Sequence, residues 1–209
     1  MMDTALTRAI NRLHVAQHIL AQLHLVERWS AFGDPVLVGA VAYGLVVAPD
    51  IDVEIFCDEP KIEDGFEVLG ACALCPRVRK ARFANKLDEP DMGLYWQLRY
   101  LHENGQEWKV DMWSMRRDHP GPLSAALVEP MKQALIDETR QTILELKEQI
   151  LLDPTLQCGS IHVYRAVLDD GIRNVEQLKN WLEHNQADML TTWKPRTEHI
   201  ENRRQMSAK

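Results

Sequence analysis

Apolar residues recur at helical spacing from Asp3 to Trp29, where Leu6, Ile10, Leu13, Ala16, Leu20, Leu23 and Val26 share one face. Asp3 or Thr4 can cap the start and Gly33-Asp34-Pro35 stops the pattern, which predicts one long amphipathic helix. Val36-Leu37-Val38 then reads as a short buried strand. The glycines of Gly39-Ala40-Val41-Ala42-Tyr43-Gly44-Leu45 favour a tight strand-to-helix turn. From Asp50 to Phe56 the chain alternates acids with β-branched or aromatic residues. Successive strand side chains point to opposite faces, so Asp50, Asp52 and Glu54 share one face while Ile51, Val53 and Ile55 fill the other. Three like charges on one face oppose folding unless something cationic sits among them.

Further along, Ile62 to Ala84 reads as helix with a break near Pro76. Leu94 to His102 and Glu107 to Met115 are aromatic-rich strand runs flanking Asn104-Gly105, a strong hairpin signal. A two-residue loop there sets Leu98 opposite Asp111, Tyr100 opposite Lys109 and Trp96 opposite Trp113, all on one face. A three-residue loop shifts one strand by one residue and breaks that grouping. Beyond Pro120 the pattern is helical: Leu123 to Leu152 interrupted at Pro130, then Ser160 to Leu168, then Val175 to His184 behind an Asn174 cap. Residues 194–209 form a polar tail expected to be frayed. The pattern as a whole predicts an α+β fold, a small mixed sheet with flanking helices followed by a helical C-terminal domain. The expected division is 1–120, 121–193 and 194–209.

Composition narrows the partners. Among 209 residues, 24 Lys and Arg against 31 Asp and Glu leave a net charge of −7, with no basic run longer than a pair. That argues against a duplex nucleic-acid binder, which must displace counterions along the phosphates with Lys and Arg. No apolar run reaches the roughly 18 residues that cross a bilayer, and no basic–apolar leader opens the chain, so no membrane partner and a cytoplasmic setting are expected. Four cysteines are too few for a disulfide scaffold. Cys72 and Cys75 have the spacing of half a zinc site, but no second pair accompanies them. His14 and His18 lie one helical turn apart without an acidic or sulfur ligand beside them, which reads as a solvated or core-edge pair.

The chemistry concentrates between Gly39 and Asp111. Two aspartates at i and i+2 on a strand, behind a glycine turn that opens a helix, suit metal-assisted work on a phosphate. Backbone N–H groups at a helix start receive phosphate oxygens, and carboxylates hold hard divalent cations. A third carboxylate from a neighbouring strand completes such a cage, and Asp111 is the best placed. Lys109, two residues before it, faces the same site and either meets a phosphate or is a solvated strand lysine. Trp96, Tyr100 and Trp113 either stack on a base or belong to the core. Glu54 is either an outer partner of the site or the solvated end of its strand.

These residues resemble the nucleotidyltransferases with the DNA polymerase β-like fold. Gly39-Ala40-Val41-Ala42-Tyr43-Gly44-Leu45 is similar to that family's glycine motif, with Ala40 where serine is usual. Asp50-Ile51-Asp52-Val53 matches its Asp-h-Asp-h strand, and Asp111 its third aspartate; the likeness covers roughly residues 34 to 116. The resemblance implies a transferase that moves a nucleoside monophosphate from an NTP, ATP being favoured, onto a hydroxyl of a small-molecule acceptor. It implies two Mg²⁺ ions on the catalytic Asp50, Asp52 and Asp111, with Gly39, Ala40, Val41, Tyr43 and Lys109 toward the nucleotide. The layout looks like that of antibiotic nucleotidyltransferases, with the acceptor expected in a cleft beside the helical domain and Asp111, Glu129, Asp137 or Glu138 as general base. A toxin-type protein adenylyltransferase and a catalytically inactive nucleotide- or partner-binding relative are the alternatives, the latter supported by Ala40 and Pro49.

Overall fold

A computed structural model describes residues 4–156, 158–185 and 192–196, which divide into two compact units: Ile10–Ala125, and Met1–Ala9 with Ala126–Lys209. The first unit is built on five strands, β1 (Asp34–Val38), β2 (Asp50–Cys57), β3 (Val78–Lys86), β4 (Gly93–Leu101) and β5 (Glu107–Arg116). Their order across the sheet is β1-β2-β5-β4-β3. The β2–β5 pair is parallel and the other pairs are antiparallel. The helices preceding, between and following these strands are α1 (Ala5–Gln22), α2 (Leu25–Trp29), α3 (Gly39–Tyr43), α4 (Ile62–Ala73), α5 (Ala125–Ala134), α6 (Asp137–Leu152), α7 (Ser160–Asp170) and α8 (Val175–His184). This is the α+β architecture, with a mixed sheet and helical C-terminal part, that the patterning predicts.

One face of the sheet is the core of the first unit. Ile51, Val53, Ile55, Leu94, Trp96, Leu98, Tyr100, Trp108, Val110 and Met112 are buried there with Leu25, Trp29, Val68, Leu69 and Cys72 of the helices and Leu23 between α1 and α2. Helix α4 comes so close that a Cβ on Gly65 would lie 2.1 Å from the Trp96 indole. A mid-helix glycine costs up to about 1 kcal/mol, and here it admits the largest side chain of β4. The Trp96 indole N–H donates to Ser114 Oγ at 3.0 Å and its ring stacks on Phe83 at 4.4 Å. The emptied opposite face carries the acids.

Three sequence expectations are corrected, and one left open, the length of the hairpin loop, is resolved. The first helix is two, because His24 takes a left-handed conformation (φ 45°) between α1 and α2. Residues 78–86 are strand rather than the continuation of a helix: α4 ends at Ala73, and β3 pairs with β4 despite its run of Arg and Lys. Pro130 lies inside α5, and the helical run is interrupted instead at Leu135 and Ile136. The hairpin loop is the three-residue one. His102 pairs with Gln106, Gly105 turns at φ 82°, and Asn104 Oδ1 accepts from the Gln106 N–H at 3.0 Å. Gln97 therefore faces Asp111, Arg99 faces Lys109 and Tyr95 faces Trp113. Trp96 and Tyr100 fall on the core face, fully buried, and are not available to stack on a base.

In the second unit α6 packs on α7, and α7 on α8. Arg8, on the first turn of α1, pairs with Glu148 of α6. Asn174 caps α8 as expected, accepting from the Gln177 N–H at 2.9 Å. The start of the tail is tied down: Asp169 accepts from the Trp193 indole at 2.6 Å and the Arg196 N–H at 3.0 Å, while residues 197–209 lie outside the described residues. No helix among the described residues is long and apolar enough to cross a membrane.

Candidate active site

The site is assembled by register. Parallel pairing of β2 with β5 sets Asp50 beside Lys109 and Asp52 beside Asp111. Each aspartate presents one carboxylate oxygen, and these oxygens all lie within 4.8 Å of one another. Among the described residues this is the one group of three or more His, Cys, Asp or Glu side chains with metal-holding geometry. Lys109 supplies the cation that the acid alternation demands: its ammonium donates to Asp111 Oδ2 at 2.8 Å and to Asp50 Oδ2 at 3.1 Å. Burial alone would lower the Lys109 pKa, but the hydrogen bond to Asp111 and the charges of Asp50 and Asp111 hold it above the ordinary lysine value.

That single positive charge does not balance three carboxylates. Burial, then the charges of Asp50 and Asp111, push Asp52 up to about 7. Asp50 is also raised, chiefly by burial, with Lys109 pulling the other way. Its Oδ1 is buried with no hydrogen-bond partner. A buried orphan oxygen, converging carboxylates and surplus negative charge are the donor set of a hard divalent cation. The residues therefore fit Mg²⁺ at Asp50, Asp52 and Asp111.

Two side chains missed by the sequence reading orient the third acid. Tyr95 O–H donates to Asp111 Oδ1 at 2.9 Å, and Gln97 Nε2 donates to the same oxygen at 3.0 Å and to Tyr95 at 2.7 Å. The tyrosine is pushed up to about 12 by burial and then by the hydrogen bond to Asp111, so it remains a donor at neutral pH. The three-residue hairpin loop was the signal that places them on this face. Glu54, on the same face, is 7% exposed rather than solvated. Its two oxygens accept the Ser124 and Ala125 N–H groups at 2.8 Å each, so it anchors the chain leaving the sheet.

The glycine turn closes over Asp52. Gly39 has φ 65°, and a Cβ there would meet Asp52 Oδ2 at 2.6 Å. Ala40 is half-buried, whereas Val41 and Tyr43 are buried at 4% exposure each; the first N–H groups of α3 have no intrahelical partner. Trp113 lies half-buried on the site face, 5.0 Å from the Tyr95 ring. Cys72 is buried, and burial pushes its thiol up to about 11, as suits an inert core cysteine. His14 and His18 are exposed. Glu129 pairs with Lys132 and Glu138 with Arg173, each at 3.1 Å within the second unit.

The sheet order and the flanking helices are those of the nucleotidyltransferase fold. Solved structures bear this out. The chain is similar to the Cid1 poly(U) polymerase in its MgGTP-bound form, with a TM-score of 0.58 and 14% identity over 78% of this chain and 52% of that one. It is similar to the same polymerase in complex with its short product ApU, with a TM-score of 0.52 and 14% identity over 78% and 51%. A cytoplasmic RNA terminal U-transferase matches with a TM-score of 0.54 and 13% identity over 75% and 45%. The chain thus spans about half the length of these structures. No protein-family model and no curated protein matches it.

Proposed function

We propose that this chain is a metal-dependent nucleotidyltransferase that moves a nucleoside monophosphate from an NTP to a hydroxyl acceptor. The observation that carries the reading is the register of Asp50 and Asp52 with Asp111 on adjacent parallel strands, beneath a left-handed Gly39. Asp50, Asp52 and Asp111 would hold the Mg²⁺ ions, whose chemistry there would be charge neutralisation of the triphosphate and activation of the attacking and leaving oxygens. The N–H groups from Gly39 to Val41 take phosphate oxygens, with Val41 and Tyr43 acting through backbone alone. Lys109, paired with Asp50 and Asp111 on this face, would be within reach of the triphosphate once those carboxylates are occupied. Tyr95 and Gln97 fix Asp111 with one oxygen toward the acceptor hydroxyl, where it takes the proton as general base.

The sequence layout favours a small hydroxyl compound as acceptor. The likeness to a poly(U) polymerase and to an RNA terminal U-transferase favours a hydroxyl of RNA. The test is incubation with Mg²⁺ and each of the four NTPs, against a panel of hydroxyl compounds and a short RNA, followed by mass spectrometry. Gain of one or more nucleotide masses, lost in Asp52→Asn, is the expected result. No gain on any acceptor with any NTP overturns the reading.

A further inference from the structure

Residues directly opposite in adjacent strands share a face, so the site face can be followed outward from the triad. Asp50 neighbours Lys109, Lys109 faces Arg99, and Arg99 faces Lys80 of the edge strand β3. One row along, Asp52 neighbours Asp111, Asp111 faces Gln97, and Gln97 faces Arg82. The face that is acidic at β2 is therefore basic at β3, three strand spacings or about 14 Å away. Lys80 and Arg82 are exposed, and among the described residues neither has an ion pair or hydrogen bond. Arg79 stands beside them at a break in the strand register, also exposed. Elsewhere on the sheet the cations are matched. Lys86 pairs with Glu89 and Asp91, Lys109 with the triad, and Arg116 with Asp118. Arg99 is held only loosely, 3.7 Å from Glu107 and 3.3 Å from Gln97.

Unmatched cations on an acidic protein call for an anion, and the NTP does not supply it there. Its charge is confined to the triphosphate, which the carboxylates and their ions hold at the far end of the face. A neutral small acceptor gains nothing from Lys80 and Arg82, and a cationic one is repelled. An acceptor whose negative charge repeats along its length reaches both places: its terminal hydroxyl at Asp111 and its upstream phosphates at the edge strand. Three or four cations are few for a duplex, whose binding rests on many phosphate contacts, but enough for the backbone of a short single strand.

We infer that Lys80 and Arg82, with Arg99, form a track for the phosphodiester backbone of a single-stranded oligonucleotide acceptor whose 3′ end enters the aspartate triad. This rests on the nucleotidyl-transfer reading for its direction, but the track can be tested without catalysis. Edge strands also carry Lys and Arg simply to block edge-to-edge pairing. The discriminating variant is therefore Lys80→Glu/Arg82→Glu, which keeps the edge charged while reversing its sign.

The experiment is fluorescence anisotropy of a labelled single-stranded RNA of roughly 12 nucleotides, added to the full chain in EDTA over a range of salt. Wild type binds with an affinity that falls as salt rises. The double reversal weakens binding at least tenfold and flattens the salt slope by about 1.4, two phosphate contacts at ~0.7 each. Asp52→Asn binds as tightly as wild type or more tightly while losing transfer. Unchanged binding in the double reversal overturns the track, as does equal competition by poly-glutamate or tighter binding of a duplex of the same length. Efficient transfer to a small hydroxyl compound without RNA binding overturns the track and leaves the transfer reading standing. RNA binding abolished by the reversal, in a protein that transfers nothing, supports the track and overturns the transfer reading.

Discussion

The ammonium of Lys109 lies 2.8 Å from Oδ2 of Asp111, two residues further along the same strand, and reaches Asp50 on the neighbouring strand as well. One side chain thus bridges two of the three carboxylates proposed to hold the cations. It holds the metal-free site together, and under the proposed function it would have to yield to metal and triphosphate.

Lys109→Met removes that charge and keeps the aliphatic stem. Hydrogen bonds to charged groups contribute about 1.5–3 kcal/mol, and because Lys109 keeps 29% side-chain exposure the expected loss is toward the lower end, about 1–2 kcal/mol. The variant should melt earlier than wild type in EDTA and gain more from added Mg²⁺. Transfer falls at the same time, since the triphosphate loses a contact. Thermal denaturation with and without Mg²⁺ is the measurement, and identical melting in EDTA would show that Lys109 stabilises nothing.

Acidity should stabilise the metal-free protein in one window. Asp52 has its folded-state pKa raised to about 7 from 3.8, so the folded state binds this proton more tightly than the unfolded one. That contribution is fully present below about 4 and is lost as pH rises through about 7. In EDTA, lowering the pH from 8 to 6 should therefore raise the stability of wild type through this group. Asp52→Asn should be more stable than wild type at pH 8 and show a weaker pH response over that interval. Mg²⁺ binds the ionised carboxylate, so its affinity should climb with pH through the same range, with release of protons measurable by calorimetry in two buffers. A pH-independent Mg²⁺ affinity between 6 and 8 speaks against Asp52 as a ligand.

Tyr95→Phe deletes one donor to Asp111 and leaves Gln97 in place. The carboxylate keeps its position less tightly, and a positioning loss of about 1.5 kcal/mol predicts kcat lower by roughly tenfold with KM for the NTP little changed. Burial pushes the tyrosine up to about 12, so the pH profile below 9 should keep its shape. A rise in KM with kcat unchanged would instead assign Tyr95 to nucleotide binding.

Tyr95 and Gln97 also mark where the sequence ceased to be readable. Asp50, Asp52 and Glu54 were legible because alternation along a single strand fixes faces without knowledge of any partner. Asp111 followed as an interior acid of its hairpin strand. The partners across that hairpin depended on one turn: Asn104-Gly105 is compatible with two- and three-residue loops, and a change of one residue exchanges every side chain of β4 between the faces. Strand β3 was hidden for a different reason. Its Arg79, Lys80 and Arg82 continue the polar spacing of a helix, and pairing with β4 overrides that local preference. The role of Glu54 stayed open because its partners, the Ser124 and Ala125 N–H groups, lie 70 residues away or more.

The glycine turn gives the most discriminating pair of substitutions. Gly39 has φ 65°, where a Cβ costs about 1–2 kcal/mol, and that Cβ would also lie 2.6 Å from Asp52 Oδ2. Gly39→Ala must therefore move the carboxylate or the turn, and both belong to the proposed site. Mg²⁺ affinity and transfer should fall together, by tenfold or more, beyond what the lowered melting temperature accounts for at the assay temperature. The next residue behaves oppositely. Ala40 is half-buried on the first turn of α3, and its backbone accepts serine without strain. A hydroxyl there adds one donor toward the triphosphate, about 0.5–1.5 kcal/mol, so Ala40→Ser should bind NTP about two- to tenfold more tightly with its melting temperature in EDTA nearly unchanged. Calorimetric titration of both variants with a nonhydrolysable NTP and Mg²⁺ reads the contrast. If Ala40→Ser weakens NTP binding while Gly39→Ala leaves it intact, the triphosphate does not rest on this turn, and the nucleotide must be held from β4 and β5 alone.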